Sequence, residues 1–113
     1  MFRQYVRSGR ESLEHLKNYE EIARRVKEIV GEKYGGVRVF VFGSVLKGRV
    51  TASSDIDLLI VSDEIAGSRD EAARLKASVL KRIGLEVPLE IHVATEKEFK
   101  WYLKFIDDLK EID

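Results

Sequence analysis

The run Ile56–Val61, IDLLIV, narrows the possible folds more than any other stretch of the chain. Beyond Asp57 it is apolar on both faces, so as a strand it must be covered from both sides. A second β-type run, VRVFVF from Val37, precedes it. A third, PLEIHVA, follows, with Pro88 at its start, where a missing N–H is tolerated.

Helical periodicity fills the intervals. Leu13, Leu16, Ile22, Val26, Ile29 and Val30 recur at helical spacing between Glu11 and Tyr34. Ala72, Leu75, Val79 and Ile83 form a second stripe, opened by the capping-box pair Ser68 and Glu71 and ended by Gly84. Thr95 and Glu98 make another capping box, from which a last helix is expected to run to Ile112. Ser44 is expected to cap a short helix reaching about Gly48. The order α-β-(α)-β-α-β-α predicts a single α/β (α+β) domain over residues 1–113, built on a small mixed sheet of three or more strands.

The chain has no cysteine, which excludes disulfides, thiolate metal sites and thiol nucleophiles. Twenty basic residues balance twenty acidic ones, so no global basic bias points to a nucleic-acid partner. No apolar run approaches the ~20 residues of a membrane span. The opening MFRQYVRSGRE lacks a signal-peptide core, so a cytoplasmic protein is expected. A charged fraction of 35%, with one glutamine and one asparagine, resembles a thermophile's composition.

The chemistry gathers at the mouth of the central run. Asp55 and Asp57, two apart on a strand, point to one face, where each carboxylate raises the other's pKa. A hard divalent cation removes that conflict, and Mg²⁺ typically takes one or two protein carboxylates plus substrate phosphate oxygens. Gly43-Ser44 ends the preceding strand, where backbone N–H groups and a hydroxyl can meet a phosphate. Lys47 and Arg49 follow as candidate phosphate clamps. For these pieces to share a site, the first two strands must be antiparallel neighbours. A helix joins the second to the third, so those two should be parallel. That brings Glu90 to the same edge as Asp55 and Asp57, with His92 two residues further on that face.

The motif GSVLKGRVTASSDID, Gly-Ser followed after ten residues by Asp-x-Asp, resembles the signature of the DNA polymerase beta-like nucleotidyltransferase superfamily. The small chain resembles its minimal branch, and the likeness runs from Val37 to about Val93. The resemblance implies that Gly43 and Ser44 bind a nucleoside triphosphate, most simply ATP. It implies that Asp55 and Asp57 hold two Mg²⁺ ions, with Glu90 in the place of a third carboxylate that is Asp in many members and activates the attacking hydroxyl. It further implies a HEPN-type protein partner, toward which the small transferase acts as antitoxin by adenylylation. The alternative is a catalytically degenerate nucleotide-binding module that neutralises its partner by contact only.

In the expected last helix, Trp101, Phe105 and Ile112 widen the apolar arc beyond what packing on a sheet requires. That arc suits a protein partner or a second copy of the chain, or cover by Phe2, Tyr5 and Val6 of the amino-terminal arm. A chain of this length leaves no separate domain for an acceptor, which also favours a partner.

Overall fold

The computed structural model describes residues 9–51 and 53–113, and side chains from residue 13 onward. The arm residues Phe2, Tyr5 and Val6 lie outside that range. Two helices, α1 (Gly9–Lys17) and α2 (Tyr19–Gly31), replace the single helix expected over Glu11–Tyr34. The break falls at Asn18, a residue whose side chain competes for local hydrogen bonds and weakens a helix interior. Then come β1 (Arg38–Phe42), β2 (Ile56–Val61), α3 (Asp63–Ala66), α4 (Arg69–Ile83), β3 (Leu89–Ala94), α5 (Glu96–Phe105) and β4 (Leu109–Glu111).

The sheet has the order β3-β2-β1-β4. β1 and β2 are antiparallel and β2 and β3 parallel, as the sequence requires, and β4 adds to the outer side of β1 in antiparallel pairing. One face carries Val39, Val41, Ile56, Leu58, Ile60 and Ile91, packed with Val26, Val30 and Val79 of α2 and α4. The other carries Phe40, Leu59, Val61 and Ala94 under Phe99 of α5, whose ring stacks on Phe40 at 4.7 Å. Full burial of each such aliphatic side chain stabilises by about 1.5–3 kcal/mol.

Helix starts follow their caps. Ser68 accepts from the Glu71 N–H, while the Glu71 carboxylate turns away to the Tyr34 hydroxyl, so only half of the expected box forms. Thr95 and Glu98 make the full reciprocal box. Ser62 caps α3, an element the sequence reading passed over.

Two further expectations are corrected. No helix forms at Ser44: residues 44–48 are consecutive turns in which the Ser44 carbonyl accepts from the Lys47 and Arg49 N–H groups, and Gly48 takes φ +68°. The last helix stops at Phe105, and Leu109–Glu111 become a strand. Asp107 and Asp108 account for the stop, because acidic residues oppose the negative end of a helix and Asp is a poor helix former. Ile112 therefore belongs to the core, 2% exposed, with its N–H on the Val39 carbonyl and its own carbonyl accepting from Lys27 Nζ at 2.9 Å. Arg38 pairs with Glu111 across β1 and β4 at 3.2 Å.

Burial of Ile112 yields a direct test of the last strand. Ile112→Ala should destabilise the chain by about 2–5 kcal/mol in urea unfolding. A change below 0.5 kcal/mol, the range of an ordinary surface substitution, would return this segment to the helix surface.

Candidate active site

The face under α5 changes character along β2. Val61 and Leu59 are covered by Phe99 and its neighbours, whereas Asp57 lies past the apolar cover, half-buried, on the same face. Asp57 stands between Phe42 of β1 and Glu90 of β3 in the ladder, so all three side chains share that face. His92, paired with Leu59, completes the group. Its Nε2 is 3.6 Å from Glu90 Oε1 and 3.8 Å from Asp57 Oδ1, and its ring lies 5.3 Å from that of Phe42.

Gly43 closes the site from the side of β1. Its φ of +87° belongs to the left-handed region, and a Cβ built there would lie 3.2 Å from Asp57 Cγ and closer still to Oδ2. Only glycine satisfies both conditions. The backbone at the end of β1 is thus laid directly against the carboxylate at the start of β2. The turn that follows keeps Ser44 and Lys47 beside it, and Lys47 lines a small cleft together with Gly43.

Burial pushes the Asp57 carboxyl above the ordinary carboxylate range; the charges of Glu90 and Asp55 push it further, and His92 pulls it back. Asp57, Glu90 and His92 each offer a ligand atom within 4.8 Å of the others. Two of the three donors are hard oxygens, as Mg²⁺ prefers, and two crowded carboxylates gain from a bound cation. The residues therefore fit a divalent metal.

Of the residues the sequence singles out, Gly43, Asp57 and Glu90 come together directly. Asp55 is exposed just before β2, outside the compact trio, although its charge is felt by Asp57. Ser44 and Lys47 sit on the turn beside Gly43; Arg49 follows at its exposed end. His92, which the sequence offers only as a same-face neighbour of Glu90, is a full member of the cluster. A larger depression of about 380 Å³, lined by Tyr34, Glu71 and Arg82, lies between α2 and α4 and takes in none of these groups.

Two measurements follow from this geometry. Gly43→Ala should lose at least the ~1–2 kcal/mol of a left-handed backbone at a Cβ-bearing residue; chemical unfolding reads it, and a neutral effect would show that Gly43 does not abut Asp57. Second, the folded chain holds the Asp57 proton more tightly than the unfolded chain, so ionisation opposes folding and stability falls as pH rises through that window. In chelator at pH 7, Asp57→Asn should therefore melt above the wild type, with the gap closing as pH nears about 4. A wild type that melts higher throughout would contradict this.

Comparison with known proteins identifies the family. Residues 23–111 match the nucleotidyltransferase domain family. A Methanocaldococcus jannaschii relative named "Putative protein adenylyltransferase MJ1379" is 36% identical over 75 residues, which cover 66% of this chain and 75% of the relative. A crystal structure of a "putative nucleotidyltransferase" superposes with a TM-score of 0.66 at 29% identity, covering 80% of this chain and 96% of the other. A second one, from Sulfolobus solfataricus, shares the fold with a TM-score of 0.59 at 21% identity, covering 92% and 87%. The chain belongs to the nucleotidyltransferase domain family, whose chemistry is nucleotidyl transfer, and it has the fold of that family's minimal members.

Proposed function

We propose that the chain transfers AMP from ATP to a hydroxyl on a protein acceptor, with Mg²⁺ as cofactor. The observation that carries this reading is the backbone of Gly43 laid against the Asp57 carboxylate with Glu90 alongside: a phosphate-accepting turn and an acidic pair in one place. The name of the M. jannaschii relative favours ATP and a protein acceptor.

Asp57 and Glu90, with His92 beside them and Asp55 at the exposed start of β2, are the residues that would hold Mg²⁺ as two ions. When bound, the metal supplies neutralisation of the phosphate charge and stabilisation of the attacking and leaving oxygens. The N–H groups of the Gly43–Ser44 turn and the Ser44 hydroxyl orient the triphosphate, and Lys47 and Arg49 clamp it electrostatically. The Glu90 carboxylate takes the proton of the acceptor hydroxyl. The acceptor oxygen bonds to the α-phosphorus, the bond from that phosphorus to the β-phosphate oxygen breaks, and pyrophosphate leaves. Positioning and charge do the work, and the protein forms no covalent intermediate.

The acceptor-bearing partner belongs to the same proposal: a HEPN-type toxin that the chain silences as its antitoxin, or a second copy of the chain. Trp101 and Phe105 of α5, 57% and 65% exposed with their rings 4.6 Å apart, are the apolar surface on offer. Ile112 drops out of this surface because it is buried. The balanced net charge argues against a nucleic-acid acceptor. Among the described residues no helix is long and apolar enough to cross a membrane, and the cytoplasm, where ATP is made, is the compartment this reading implies.

The test is transfer of label from ATP tagged at the α-phosphate into proteins of the source cell, with Asp55→Asn/Asp57→Asn as control. A labelled protein band that falls by about 10²–10³-fold in the double variant is the expected result. Binding of the partner without any labelling, equal in both forms, would replace the transferase by a module that acts by contact only.

A further inference from the structure

Along the exposed side of α5, Lys97, Trp101 and Phe105 follow one another at i,i+4 spacing and form one line. Lys97 and Trp101 border one depression, the Trp101 and Phe105 rings lie 4.6 Å apart, and Phe105 borders a cleft with Asp107 and Asp108. The line thus runs from a cation over two aromatic rings to two carboxylates, all on exposed residues. Among the described residues Lys97, Asp107 and Asp108 have no ion pair, whereas Lys110 holds Glu20 at 2.7 Å. Glu98, beside Lys97, accepts instead from the Thr95 N–H at 2.9 Å. Lys47 borders the same cleft as the two aspartates and makes no ion pair with them. Lys100 and Lys104 fall off this line, on the flank.

We propose that this face pairs with its counterpart on a second copy of the chain, the two α5 helices antiparallel about a two-fold axis between Trp101 and Phe105. The inference rests on the partner part of the reading above and names the partner; the transfer chemistry does not enter it. A two-fold axis reverses the order of the face, so a basic, aromatic, acidic line is complementary to its own reversed copy. Trp101 of each copy then meets Phe105 of the other, and Lys97 of each reaches Asp107 and Asp108 of the other. About 12 Å of helix separates Lys97 from Phe105, so both ends engage at once. Two aromatic residues at the centre with charges at the rim is the usual composition of such a contact.

The pairing reaches the candidate active site. Gly43 and Lys47 border the cleft that Phe105, Asp107 and Asp108 share. Lys97 of the second copy therefore arrives beside the Gly43–Ser44 turn, and each copy borders the other's site. Trp101 is the chain's single tryptophan, so its emission reports on the contact.

Sedimentation equilibrium of the full chain over a concentration series, with Trp101 emission read in parallel, tests this. The expected result is a dimer whose formation shifts the emission to the blue. Lys97→Glu should weaken it at least about tenfold, and so should Asp107→Lys/Asp108→Lys, because each sets like charges against one another at both ends. Phe105→Ser, at the centre, should weaken it by at least as much. An equimolar mixture of the two charge variants, each with the circular dichroism of the wild type, should dimerise again: one end regains the native pair and the other its reverse. A dimer indifferent to these variants, or a mixture of the two that stays monomeric, would overturn the pairing. So would a monomer at every concentration. Solvent-exposed Trp101 emission in that monomer would leave the face to a different protein, and buried-type emission would assign it to cover by the chain itself. The readout is mass, so none of these failures touches the labelling test of the transferase.

Discussion

The Asp57 carboxylate resting on the backbone of Gly43 is the contact around which the site is built. It requires β1 and β2 to be antiparallel with Phe42 opposite Asp57, and it requires glycine, because any side chain at position 43 would occupy the place of the carboxylate. Once that register is set, the parallel crossover through α4 brings Glu90 beside Asp57, and His92 follows two residues on. The result is a half-buried acid held above its ordinary pKa by burial and by its acidic neighbours. Such an arrangement lowers the stability of the metal-free fold, and it makes physical sense where a cation arrives with the substrate.

The two sheet faces divide the labour. The face toward α2 and α4 is closed by aliphatic side chains and supplies most of the core. The face toward α5 is closed by Phe99 and its neighbours over Phe40, Leu59 and Val61, and Asp57, Glu90 and His92 stand on that face outside the apolar cover. Ending the helix early also frees a segment to pair with β1 as β4 and carries Asp107 and Asp108 past the Gly43 turn. One helix terminus thereby completes the sheet and walls the cleft.

Much of this was legible in the sequence because it rests on local rules. The alternation and apolar runs of three strands, the Ser and Thr caps, and the motif linking Gly43-Ser44 to Asp55 and Asp57 each carry a physical signal in a few residues. What was missed depends on tertiary pairing. LKE, three residues of β4, has no strand signature of its own, and it becomes a strand because β1 presents a free edge. The stop signal for α5 was present in Asp107-Asp108 but was outweighed by the helical spacing of Ile106, Leu109 and Ile112; in the structure Leu109 packs beside Phe40 and Ile112 in the core on the opposite face of the sheet. The turn at Ser44 reads as a capped helix because serine is a preferred cap; its N–H groups do bond three residues back, but with Gly48 at positive φ it never propagates. The role of His92 was visible only as a shared face with Glu90, since its approach to Asp57 runs across two strands.

The most direct measurement is an amide NMR spectrum of the isotope-labelled chain titrated with substoichiometric Mn²⁺ in the presence of ATP, since a paramagnetic ion broadens only the signals near it. Broadening centred on Gly43, Ser44, Asp57 and Glu90, and abolished by Asp57→Asn, is the predicted result. Broadening centred on other acidic surfaces, such as Asp70 and Glu71 at the start of α4, with Gly43 and Asp57 unaffected, would contradict the account.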